Sequence, residues 1–121
     1  MALTYSSMLS LKSELATFNL LNTITGERFT SDDLDKNKHS LIMFICNHCP
    51  YVIHYHDEIK RLANDFDNTI NMVAISSNDI KEYPQDGPDK MRELWAELGL
   101  SFPYLFDSTQ DVAKQYKAEC T

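Results

Sequence analysis

Three short apolar runs constrain the fold of this chain more than anything else in it. They are LIMFI at 41–45, INMVAIS at 70–76 and PYLFD at 103–107. LIMFI is continuous and bounded by polar residues, the pattern of a strand buried on both faces of a parallel sheet. The stretches between the runs have a different period. From about 50 to 66, Val52, His56, Ile59, Leu62 or Ala63, and Phe66 recur at three- and four-residue steps and mark one helical face. Pro50 suits the first turn of that helix, where its missing N–H costs nothing. After the second run, SNDIKEYPQDG reads as a loop. Asp86-Gly87-Pro88 then opens a helix with Met91, Leu94, Trp95 and Leu98 on its core face and Gly99 as its stop. After PYLFD, Asp107 or Ser108 caps a last helix carrying Val112, Ala113 and Tyr116. Upstream, ATFNLLNTITGERFT reads as two short strands around Thr25-Gly26, and Ser31-Asp32-Asp33 caps a helical turn at Leu34. The order is strand pair, strand, helix, strand, helix, strand, helix. That alternation predicts an α/β fold with a parallel core. At 121 residues, without repeats or linkers, the chain reads as one domain, 1–121.

Composition narrows the function classes. Apolar residues make up 43%, which is globular. No apolar run approaches the ~20 residues that cross a bilayer. A net charge of -7 argues against a nucleic-acid backbone or an anionic membrane as the main partner. The opening MALTYSSMLSLKSEL lacks a charged segment followed by a solid hydrophobic block, so the expectation is a cytoplasmic protein without a secretory signal.

Chemistry concentrates in CNHCP, 46–50, at the carboxyl end of LIMFI, where open α/β sheets place their sites. Free backbone N–H groups at a helix start favour a thiolate, the reactive form of cysteine. A spacing of three puts the sulfurs of Cys46 and Cys49 within reach of a disulfide. His48 between them adds positive charge when protonated. The bland reading, two small core residues, is the less favoured one at a strand-to-helix junction. A zinc site is also disfavoured. His54 and His56 point apart on a helix, and Cys46, Cys49 and His48 alone leave a tetrahedron short. No metal and no cofactor are expected. Asp32-Asp33 and the acidic residues from Asp86 to Asp89 read as solvated turns and caps. Ser76-Ser77-Asn78-Asp79 either lines the site near Cys46 or caps the loop that follows.

These residues carry a resemblance. AxFxL from Ala16, GERFTSDDL, LIMFICNHCPYV, VAISSND, YPQDGPDKM, FPYLFD and VAKQYKAECT resemble the redoxin branch of the thioredoxin superfamily, the AhpC/TSA type, from about 16 to 121. The resemblance implies a thioredoxin-like fold: a central mixed sheet flanked by helices, with a redox-active CxxC. It implies that Cys46 is the exposed attacking thiol and Cys49 the resolving one, with Asn47, His48 and Pro50 in support. Peroxiredoxin relatives suggest another assignment, with Cys49 attacking peroxide and Pro50 following it. Cys46 and Ile42 then stand where that pattern has Thr or Ser and Pro. The implied partners are disulfide-containing proteins or small thiols, with a reductant such as thioredoxin or glutathione.

The family's fold continues past Thr121 with a cis-proline, two strands and a helix, so the domain is expected to be incomplete at its C-terminal end. LIMFI would then be an open edge, inviting a homodimer. Cys120 would be either an additional resolving thiol or a frayed terminal one. The leading expectation is a thiol–disulfide oxidoreductase. The alternatives are a thiol-dependent peroxidase and a catalytically silent binding or assembly module.

Overall fold

The computed structural model describes residues 10–118 except Ser13 and Asp67. Cys120 and Thr121 lie outside the described residues. The first hairpin joins β1 (Asn19–Asn22) to β2 (Arg28–Thr30), with Leu20 opposite Phe29. Gly26 turns it at a φ of 78°, a left-handed conformation that costs glycine little. A single turn of 3-10 helix, Ser31–Asp33, follows. Its N-cap Thr30 and Asp33 form a reciprocal capping box.

Beyond it come β3 (Ser40–Phe44), α1 (Pro50–His54), α2 (His56–Phe66), β4 (Asn71–Ser76), α3 (Pro88–Leu98), β5 (Tyr104–Phe106) and α4 (Asp111–Gln115). The sheet order is β2-β1-β5-β4-β3. β3, β4 and β5 are parallel, as the alternating segments predict, and β1 joins β5 antiparallel. The sheet is therefore mixed.

Strand alternation sends side chains to two separate cores. Met72, Ala74 and Tyr104 face Ile59 of α2 and Met91 and Trp95 of α3. Val73, Ile75 and Leu105 face Phe18, Leu20, Leu34 and Val112 of α4. β4 and β5 thus sit between two layers, and Val73, Ala74, Ile75, Tyr104 and Leu105 have no exposed surface.

LIMFI departs from its expected environment. It is a strand, but Leu41 to Phe44 are only half-buried. The reason is position: β3 pairs with β4 on one side and ends the sheet on the other among the described residues. Hydrophobic periodicity reports the apolar content of a strand but not its rank in the sheet.

The helix expected over 50–66 is divided at Tyr55, whose φ and ψ of -98° and 6° leave the helical range. The chain resumes at His56, and Ile59 N–H donates to Tyr55 O at 2.9 Å. α3 runs as expected. Gly99 ends it at a φ of 70°, with Leu100 N–H returning to Trp95 O at 2.9 Å. A methyl at Gly99 meets nothing within 4 Å. Gly99→Ala is therefore expected to cost only the left-handed backbone, about 1 kcal/mol, read as a shift in the urea midpoint.

α4 is capped differently from expectation. Its N-cap is Gln110, at a φ of 66°. The buried Asp107 still serves the helix, accepting from Val112 N–H at 3.4 Å and Ala113 N–H at 2.9 Å.

Candidate active site

β3 delivers the CNHC segment. Pairing continues one residue past the strand, where Ile45 N–H donates to Ile75 O at 3.0 Å. The chain then turns at Asn47-His48 and enters α1. Cys49 is the N-cap, Pro50 holds the first helical position, and Ile53 N–H donates to Cys49 O at 3.0 Å. No disulfide joins Cys46 to Cys49, and their sulfurs do not stand at disulfide distance, although the spacing of three was expected to bring them within reach. They pack with Val52 and Ile45. Their exposures are 1% and 4%, so Cys46 is not the exposed thiol that the family resemblance implies. The turn at 47–48 that follows Cys46 is itself fastened by a side chain from a distant segment.

The fastening is Asp86. Its Oδ1 accepts from the backbone N–H of Asn47 at 2.8 Å and of His48 at 3.2 Å. Its Oδ2 accepts from Asn78 Nδ2 at 3.0 Å and is hydrogen-bonded to His48 Nδ1. Asp86 is fully buried, which corrects its reading as a solvated cap. Charge explains the arrangement. A carboxylate removed from water needs several donors, and a tight turn that exposes successive N–H groups supplies them. Asp86 lies in a 3-10 turn, Pro84–Asp86, and its N–H bonds to Tyr83 O at 3.0 Å. No local pattern signals this role, since the turn it holds lies 38 and 39 residues away in sequence.

Further contacts tie the same two segments. Asn47 Nδ2 donates to Gln85 O at 2.9 Å, and the Tyr104 hydroxyl donates to Asn47 Oδ1 at 2.9 Å. The His48 ring stacks on Tyr83, with centroids 4.4 Å apart and planes 11° from parallel. Burial holds the Tyr104 hydroxyl above the ordinary tyrosine range, with the neighbouring Cys46 and Asp86 adding to the effect.

The serine-rich segment divides its roles. Asn78 joins the site through Asp86, whereas the Ser77 hydroxyl donates to Asp107 Oδ2 at 2.8 Å. Asp79 makes a local turn with Lys81 N–H. His54 is exposed. His56 is partly buried, and its Nε2 has no hydrogen-bond partner among the described residues.

The outcome is a cluster in which one ligand atom each of Cys46, His48 and Asp86 lies within 4.8 Å of the others. An imidazole hydrogen-bonded to a buried carboxylate therefore stands near the Cys46 thiol.

A family model described as AhpC/TSA matches residues 11–121. The chain belongs to the AhpC/TSA family. Solved structures agree on the fold. An uncharacterized conserved protein from Geobacillus kaustophilus is 46% identical, with a TM-score of 0.92, over 96% of this chain and 62% of its own. A hypothetical protein from Sinorhizobium meliloti is 32% identical, with a TM-score of 0.91, over 96% of this chain and 63% of its own. This AhpC/TSA chain therefore spans less than two thirds of the length of both. A thiol-disulfide oxidoreductase from Bacteroides fragilis is 23% identical, with a TM-score of 0.68, over 87% of this chain and 75% of its own. That likeness shows a shared thioredoxin-like fold. A comparison with curated proteins found no similar sequence.

Proposed function

We propose that this chain carries out thiol–disulfide exchange through Cys46 and Cys49. The observation that carries the reading is that Cys46 and Cys49 pack together past the carboxyl end of β3, with His48 close to Cys46. In the proposed reaction the Cys46 thiolate attacks one sulfur of a substrate disulfide. A mixed disulfide forms and the other substrate sulfur leaves as a thiolate. Cys49 then attacks the mixed disulfide. A Cys46–Cys49 disulfide forms and the substrate departs as a dithiol. Because Cys46 is 1% exposed, the structure around it must open for a substrate to reach it. The proposed substrates are protein or small-molecule disulfides, with a thiol reductant restoring the pair.

The AhpC/TSA assignment supports a second reading, reduction of peroxide at Cys49. The thiolate there would attack one peroxide oxygen, breaking the O–O bond so that the other oxygen leaves as water or an alcohol and a sulfenic acid remains, and Cys46 would displace water from it to form the disulfide.

The deciding experiment is an equilibrium titration in glutathione buffers, with alkylation and mass spectrometry of each cysteine. The expected result is one two-electron transition between the dithiol and a Cys46–Cys49 disulfide, with a defined midpoint. Thiols that never pair would overturn both readings. Peroxide consumption with sulfenate trapped on Cys49 would select the second over the first.

A further inference from the structure

We propose that Cys46, His48 and Asp86 of the reduced protein form a binding site for zinc(II) or a similar divalent ion. The ligand types are the first argument. A thiolate sulfur, an imidazole nitrogen and a carboxylate oxygen are the three side-chain donors that zinc takes, and the mixed set suits an ion of intermediate softness. Their placement is the second. The donor atoms lie within 4.8 Å of one another. Bonds of about 2.0–2.3 Å in a tetrahedron put neighbouring ligands roughly 3.3–3.8 Å apart, so closure needs a shift of about 1 Å. Three protein ligands leave a fourth position for water or an anion.

The surroundings are those of a supported site. Asn47 N–H, His48 N–H and Asn78 Nδ2 all hold the Asp86 carboxylate without occupying the thiol or the imidazole. Ligating carboxylates are usually oriented by such bonds. Tyr83, stacked on the His48 ring, limits its rotation. The His48 Nδ1–Asp86 Oδ2 hydrogen bond must give way, its proton replaced by the ion. Charge also balances. A thiolate, a carboxylate and a neutral imidazole offset a divalent cation where Cys46 and Asp86 are 1% and 0% exposed, and His48 leaves one side open. Cys49 is outside the converging set. Linear spacing hides the site because its third ligand stands 38 residues beyond His48.

A bound ion would occupy Cys46 and block disulfide exchange. That consequence rests on the dithiol reading; binding itself does not.

The test uses the reduced 121-residue protein, stripped with a chelator and titrated with Co(II), then Zn(II). One equivalent of Co(II) is expected to give a thiolate-to-metal charge-transfer band and tetrahedral d–d absorption, both abolished by Zn(II). Cys46→Ser should remove the charge-transfer band and weaken zinc at least about 100-fold against a chromophoric chelator. His48→Gln should weaken it about 10-fold or more, and circular dichroism checks that each variant is folded. Cys49→Ser should retain one-to-one binding. Absence of the band, its survival in Cys46→Ser, or its loss in Cys49→Ser would each overturn the proposal, the last by assigning the ion to the cysteine pair. The glutathione titration, run with chelator present, tests the dithiol reading separately.

Discussion

Asp86→Ala is expected to destabilise the protein by about 3 kcal/mol, read as a drop in the urea midpoint followed by fluorescence of the single Trp95. The carboxylate is fully buried and serves four donors, on Asn47, His48 and Asn78. Truncation removes the acceptor and leaves those donors in place. A buried unsatisfied donor costs about 1–3 kcal/mol, so even partial rehydration of the turn leaves a large deficit. The loss falls on the segment that holds Cys46, so alkylation of Cys46 by iodoacetamide in the native state should accelerate in parallel. Asp86→Asn keeps the shape but brings an N–H₂ group among donors, and should lie between alanine and wild type. A change below about 1 kcal/mol in the alanine variant would mean that the 47–48 turn is not held by this carboxylate.

Trp95→Ala is expected to cost about 3–5 kcal/mol, a large part of the 5–15 kcal/mol by which a domain of this size is usually stable. Trp95 is 1% exposed at the centre of the core between the sheet, α2 and α3. Its indole stacks on Tyr104 at 3.9 Å and meets Phe102 edge-on at 5.3 Å. Its Nε1–H donates to Phe102 O at 2.9 Å. Neighbours on a sheet and two helices cannot collapse into the space left, so most of the cavity term remains. Trp95→Phe separates the contributions. It keeps an aromatic ring and orphans the Phe102 carbonyl, for an expected cost of about 1–2 kcal/mol from that bond plus some lost packing. Circular dichroism in urea measures both variants, and equal costs for the two would refute the cavity argument. The effect should also reach the site, since Tyr104 donates to Asn47.

These two residues were unequally legible. Trp95 sits at helical spacing with Met91, Leu94 and Leu98, and all four pack in one core. Periodicity identifies such residues because a helix buries one stripe. Asp86 sits in YPQDGP, where an acidic residue beside glycine and proline has the composition of a solvated turn. Nothing local distinguishes a carboxylate facing water from one facing the N–H groups of a distant turn. Asn78 was legible only as one of two options, for the same reason. The exposure of Cys46 could not be inferred from CNHC either. It depends on how the segments around CNHC pack in three dimensions.

What the sequence determined by itself is the order of strands and helices, apart from the break at Tyr55, the parallel pairing of β3, β4 and β5, the stop at Gly99 and the placement of Cys46 and Cys49 at a strand-to-helix junction. Each follows from interactions within a few residues: side-chain period, proline and glycine geometry, chain reversal. Only the tertiary structure decided that β3 lies at the edge of the sheet, that both thiols are buried, and that His48 and Asp86 stand beside Cys46. Those facts depend on pairing between segments tens of residues apart. There the energy of burying a charge among donors, rather than any local propensity, selects the arrangement.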